Sequence, residues 1–91
     1  MDGNPQISAV AQWMMGEVSS GKRLYQTRVA QHVRQHVDAS LTSRNKNGNW
    51  ALDKRINDAF RELSGDGVVW ERSQQLWRLR KPSDKPGRMQ K

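Results

Sequence analysis

The stretch from Leu52 to Trp70, LDKRINDAFRELSGDGVVW, constrains the fold more than any other part of the chain. Ile56, Ala59, Phe60 and Leu63 recur at helical spacing and so share one apolar face. The opposite side carries Lys54, Arg55, Asn57, Asp58 and Arg61. Gly65 and Gly67 break the helix and admit positive φ, after which Val68, Val69 and Trp70 have β character. An amphipathic helix that turns on glycine into an apolar strand, with Arg72 beyond it, predicts an α+β domain.

Upstream, residues 1–5 read as a flexible lead, with Pro5 suited to the first turn of a helix. Ile7, Val10, Met14 and Val18, with Trp13 beside them, form a helical stripe that Ser19, Ser20 and Gly21 end. Leu24 and Tyr25 suit a short extended piece. Thr27 has the chemistry of an N-cap for a second helix whose buried face is Val29, Ala30, Val33 and Val37. Residues 38–50 are polar and Asn-rich. They suit either a plain loop or a small hairpin, with Leu41 and Thr42 facing Trp50 and Leu52 across the Asn47-Gly48 turn signal.

The third helix then begins near Asp53, or a few residues earlier if Asn49 is its cap. Two strands follow, Val68–Arg72 and Gln75–Arg80, joined by Ser73-Gln74. In the second, Trp77 and Leu79 share one face while Arg78 and Arg80 share the other. From Pro82 onward Pro, Gly, Ser and charge replace any apolar pattern. The expected organisation is one domain over 1–81 and a disordered basic tail over 82–91.

Ninety-one residues suit a single domain near the lower edge of comfortable core size. Only 34% of the chain is apolar, so four Trp residues must supply much of the buried area. With no cysteine, a disulfide scaffold and a thiolate metal site are excluded. No run approaches the ~20 apolar residues of a membrane span, and MDGNPQ lacks the features of a signal peptide. A cytoplasmic protein without membrane contact is the expectation. The formal charge is +7, of which residues 81–91 hold four cations against Asp84. Residues 1–80 are therefore only mildly basic, which favours polyanions without specifying sequence.

The order of three helices and a C-terminal β-hairpin resembles the winged helix-turn-helix superfamily. The residue pattern that carries the resemblance is Ile56, Ala59-Phe60, Leu63 and Gly67, followed by Val68-Val69. It covers residues 7–80 in element order and about 52–80 in pattern. The resemblance implies a small DNA-binding regulator or accessory factor with its third helix in the major groove and its wing on a neighbouring groove or backbone. Lys54, Arg55, Asn57 and Arg61 would then face bases, Thr27 and Arg28 would hold phosphate at a helix start, and Arg72, Arg78 and Arg80 would line the wing. Asp53, Asp58 and Glu62 sit on or beside the same helix and repel phosphate.

The alternative is a winged-helix protein-interaction module, an adaptor or inhibitor, docking through the same face. A continuous positive face over Lys54, Arg55, Arg61 and the wing arginines favours double-stranded DNA. An apolar patch centred on Trp50 or Leu76 favours a protein partner. Trp50 itself reads as core, with an exposed stacking role as the other option; Trp70 and Trp77 read as core. His32 and His36 have the i,i+4 spacing of two metal ligands, but no Cys or carboxylate completes a set, so they read as surface histidines and no metal is expected. No Gly-rich phosphate loop, nucleophile or paired carboxylates suggests catalysis, a cofactor or a small-molecule substrate.

Overall fold

The computed structural model describes residues 4–90; residues 1–3 of the expected lead, and Lys91, lie outside the described residues. Helix α1 spans Pro5–Ser19, strand β1 Leu24–Tyr25 and helix α2 Gln26–His36. A 3₁₀ turn at Ala39–Leu41 leads into strands β2 (Thr42–Arg44) and β3 (Trp50–Leu52), and helix α3 spans Lys54–Ser64. Strands β4 (Val68–Glu71), β5 (Leu76–Leu79) and β6 (Met89–Gln90) complete the chain. The architecture is α+β. Among the described residues no helix is long and apolar enough to cross a membrane.

Local chemistry accounts for these boundaries. Asn4 accepts from the Gln6 N–H in front of Pro5, and Asp53 accepts from the Arg55 N–H, so α1 and α3 begin on side-chain caps. Helix α3 stops at Gly65, whose φ of 53° and ψ of −132° suit a residue without a Cβ; Gly67 needs no such freedom. The expected cap of α2 is corrected. Tyr25 occupies the cap position without a side-chain bond, the Gln26 N–H donates to Gln75 O, and Thr27 is an exposed first-turn residue. Strand β1 runs directly into α2 and leaves Thr27 inside the helix.

A four-stranded sheet has the order β1-β5-β4-β6, with β6 parallel to β4 and the other pairs antiparallel. Trp70 and Trp77 face each other in register, as do Leu24 and Trp77. This inner face closes the core against α1, α2 and α3, where Ile7, Val10, Met14, Val18, Val29, Val33, Ile56, Phe60 and Val68 are buried. Phe60 meets Trp77 edge to face at 5.6 Å, which locks α3 onto the sheet. Expected core positions differ in degree: Val37 and Trp70 pack against the core only partly buried. Leu63 is 51% exposed while Ser64 is buried, and Leu79, at the end of its strand, is 39% exposed.

The open choice over residues 38–50 resolves as a hairpin, with Thr42 opposite Leu52 and Arg44 opposite Trp50. The disordered tail expected over 82–91 is also corrected for the described residues. They fold back as a strap whose Arg88 O accepts from Trp70 N–H at 2.8 Å and whose Asp84 binds Arg78. Val69 and Leu76, on the outer side of the β4–β5 pair, are fully buried, as is expected where Arg78 and Asp84 draw the strap across that face.

Candidate nucleic-acid interface

Several of the residues expected to form one positive face are engaged by neighbouring groups. On α3, Lys54 reaches Asp58 at 3.0 Å across one helical turn, and Arg55 reaches Asp53 at 3.0 Å. The Arg55 side chain and backbone bonds hold the Asp53 carboxyl below its usual pKa range. Asn57 is half-buried, its Oδ1 enclosed without a hydrogen-bond partner, and it lines a cleft with Arg61, Trp70 and Arg88 rather than an open surface. Arg61 is exposed. Its charge adds to burial in holding Arg88 below the usual guanidinium pKa, while Arg88 donates to Ser64 Oγ at 2.9 Å.

The wing arginines diverge further from expectation. Arg78, with 14% of its side chain exposed, bonds Glu71 and both carboxylate oxygens of Asp84, at 2.8 Å each. These bonds raise the guanidinium above its ordinary pKa and hold the Asp84 carboxyl well below the carboxylate range. Arg80 donates to three backbone carbonyls, those of Asp66, Lys85 and Gly87. Both side chains therefore fasten the strap. Arg72 alone of the three is exposed without a side-chain partner among the described residues.

A second basic region forms where α2 meets the β2–β3 hairpin. Arg34 lies over the Trp50 ring at 4.0 Å from its centroid, and Arg44 at 4.5 Å. The Gln26 side chain donates to Trp50 O, so the hairpin is tied to both ends of α2. Trp50 is half-buried, neither a sealed core residue nor the centre of an apolar patch, and Leu76 is fully buried. Cation–π contact leaves the guanidinium charge in place, unlike an ion pair. Arg34, Arg44 and Lys46 consequently present three exposed charges with no acidic partner among the described residues.

Sequence reasoning missed this region because it averaged charge over the whole domain. Residues 22–46 hold six Lys and Arg against Asp38 alone, whereas residues 47–80, which include α3 and the expected wing, hold six against five acids. The signal was present in the local count. Arg28, at the start of α2, is shared with Glu17 at 3.4 Å, and Thr27 lies exposed beside it. Farther along α2, His32 stacks on Trp13 at 3.8 Å with its ring nearly parallel. Burial, then the nearby His36 and Arg28, lower its pKa against an opposing pull from Glu17. Among the described residues no group of three or more potential ligands is placed to hold a metal ion.

Against this geometry, a family of unknown function, DUF6953, matches residues 6–79. The chain belongs to the DUF6953 family. The matched span runs from α1 through β5 and includes the basic α2–hairpin region, while the strap lies beyond it. No curated protein and no solved structure matches the chain.

Proposed function

We propose that this DUF6953 chain is a small winged-helix nucleic-acid-binding domain that holds duplex DNA on the basic face of α2 and the β2–β3 hairpin. The single observation that carries the reading is the placement of Arg34 and Arg44 over Trp50, with Lys46 exposed on the same hairpin, in a segment with six cations and one acid. Polyanion binding is driven by cations whose charge is not already neutralised, because each phosphate contact releases counterions. The winged-helix reading is supported by element order and by β1 adding to the second strand of the terminal hairpin, next to α1. The self-neutralised face of α3 argues for a role in packing and orientation more than in charge supply. The protein-docking alternative has less support, since Leu76 is inaccessible and Trp50 is covered by two guanidiniums.

A regulator or accessory factor acting by occupancy is consistent with such a surface. The test is an amide NMR titration of the labelled protein with a mixed-sequence DNA duplex at low and moderate salt. Salt-sensitive shifts should cluster on residues 26–36 and 42–50. Shifts confined to 81–90, or none at low salt, would refute the proposal.

A further inference from the structure

We propose that the tip of the β2–β3 hairpin, through Lys46 and Asn47, is the element that enters the DNA major groove and reads base edges, in place of α3. This inference rests on the duplex-binding reading and adds to it which residues carry sequence preference.

Three observations lead there. First, the tip is exposed from Ser43 to Gly48, and the whole segment from Ala39 to Trp50 contains no acid. Second, the tip is pre-organised. Asn45 N–H donates to Asn49 O at 2.8 Å, Gly48 N–H donates to Asn45 O, and Asn45 Oδ1 accepts from the N–H groups of Asn47 and Asn49. Gly48 takes a φ of 78° to close the turn, and Arg44 donates to Gly48 O at 2.9 Å. Asn45 and Arg44 are thereby committed to the loop, while the side chains of Lys46 and Asn47 have no partner among the described residues. Third, the hairpin's base is fixed to α2 through Trp50, so a contact at the tip is referred to a rigid body. A reader with a fixed frame loses little conformational entropy on docking.

Size selects the groove. Two strands ~4.8 Å apart with their side chains are about 10 Å across, which suits the ~12 Å major groove and not the ~6 Å minor groove. The chemistry agrees. A free carboxamide offers a donor and an acceptor that match adenine N6 and N7, and an ammonium donates to guanine N7 and O6. On α3, Lys54 is paired with Asp58, Arg55 with Asp53, and Asn57 is half-buried, so of its candidate readers Arg61 alone stays exposed without an acidic partner among the described residues.

The experiment compares binding, by fluorescence anisotropy at moderate salt, of three duplexes of one mixed sequence. One is unmodified, one has 7-deazapurines that lack the major-groove N7, and one has inosine for guanine, which removes the minor-groove amine. The intact protein should lose about tenfold in affinity on the 7-deaza duplex and keep its affinity on the inosine duplex. Asn47→Ala should erase most of that discrimination, whereas Lys54→Ala should preserve it. Both positions are exposed, so neither change should disturb the fold. Equal affinity for the unmodified and 7-deaza duplexes would overturn the reader while leaving backbone binding intact. An effect of inosine, or loss of discrimination in Lys54→Ala instead, would move the reading to the minor groove or to α3 and overturn it also. No binding to any of the three would overturn the duplex reading and this inference with it.

Discussion

Replacing Arg34, Arg44 and Lys46 together by Gln separates the two basic surfaces by a measured slope. Each phosphate contact lowers the slope of log K against log salt by about 0.9, so three contacts account for nearly 3 units. Raising salt from about 50 to about 200 mM would loosen a complex with three such contacts roughly 40-fold, and the triple variant should lose most of that dependence. A matched control replaces Lys54, Arg55 and Arg61 by Gln. It removes the same formal charge, yet Lys54 and Arg55 are already opposed by Asp58 and Asp53 at 3.0 Å. Its slope should fall by no more than about 1, the share of a single contact. Anisotropy titrations of a mixed-sequence duplex over a salt series read both slopes. The first variant loses two cation–π contacts, each worth about 0.5–1 kcal/mol at an exposed site, so a melting curve must accompany it. A larger slope change in the α3 variant than in the hairpin variant, with both proteins folded, would refute the reasoning.

Three other perturbations test the frame. Trp77→Ala should cost about 3–5 kcal/mol in chemical denaturation, because Trp77 is 5% exposed and packed on Phe60 and Trp70. Leu63→Ala should stay within about 0.5 kcal/mol, since its side chain is half in solvent. The Asp84 carboxyl is held below its ordinary pKa by Arg78 first and the Lys81 N–H second, so its stabilising contribution is complete above the ordinary carboxylate pKa of ~3.9 and is lost as pH falls below it. Asp84→Asn should therefore lower the melting temperature at neutral pH and flatten its fall between about pH 4 and pH 2; an unchanged acid limb would mean the strap is held without that ion pair.

The parts of this molecule legible in sequence are those that bury apolar groups at a regular period. The stripes of α1, α2 and α3 and the turn on Gly65 follow from spacing and backbone freedom alone. Leu63 misleads because it flanks the buried stripe at the helix end, where Ser64 takes the inward position. Its hydroxyl can be buried there because it donates to Phe60 O at 2.8 Å and accepts from Arg88. The strap was illegible for a related reason: polar contacts hold it, and these leave no hydropathy pattern. Strand alternation puts Arg78 on the outer face, as expected, but nothing in that rule discloses a carboxylate six residues later returning to meet it. In the candidate site, the spacing of α3 already allowed a solvated face with Lys54 and Asp58 paired, and that pair forms. A helix places i and i+4 side by side, so Lys54 and Asp58 neutralise each other wherever they are not pulled apart.

The composition of residues 81–90 invites anyone shortening this chain to cut after Arg80. Such a cut would strip β4 of its parallel neighbour and leave the Trp70 and Arg72 N–H groups, which now donate to Arg88 O and Gln90 O, facing water along an open strand. With β1 already covering β5, that side is where another chain could add to the sheet. Unpaired strand edges recruit further strands, and charged side chains and short lengths are the usual deterrents. The strap thus acts as a built-in terminator of sheet growth, and its removal would be felt first as self-association at high concentration rather than as loss of the core.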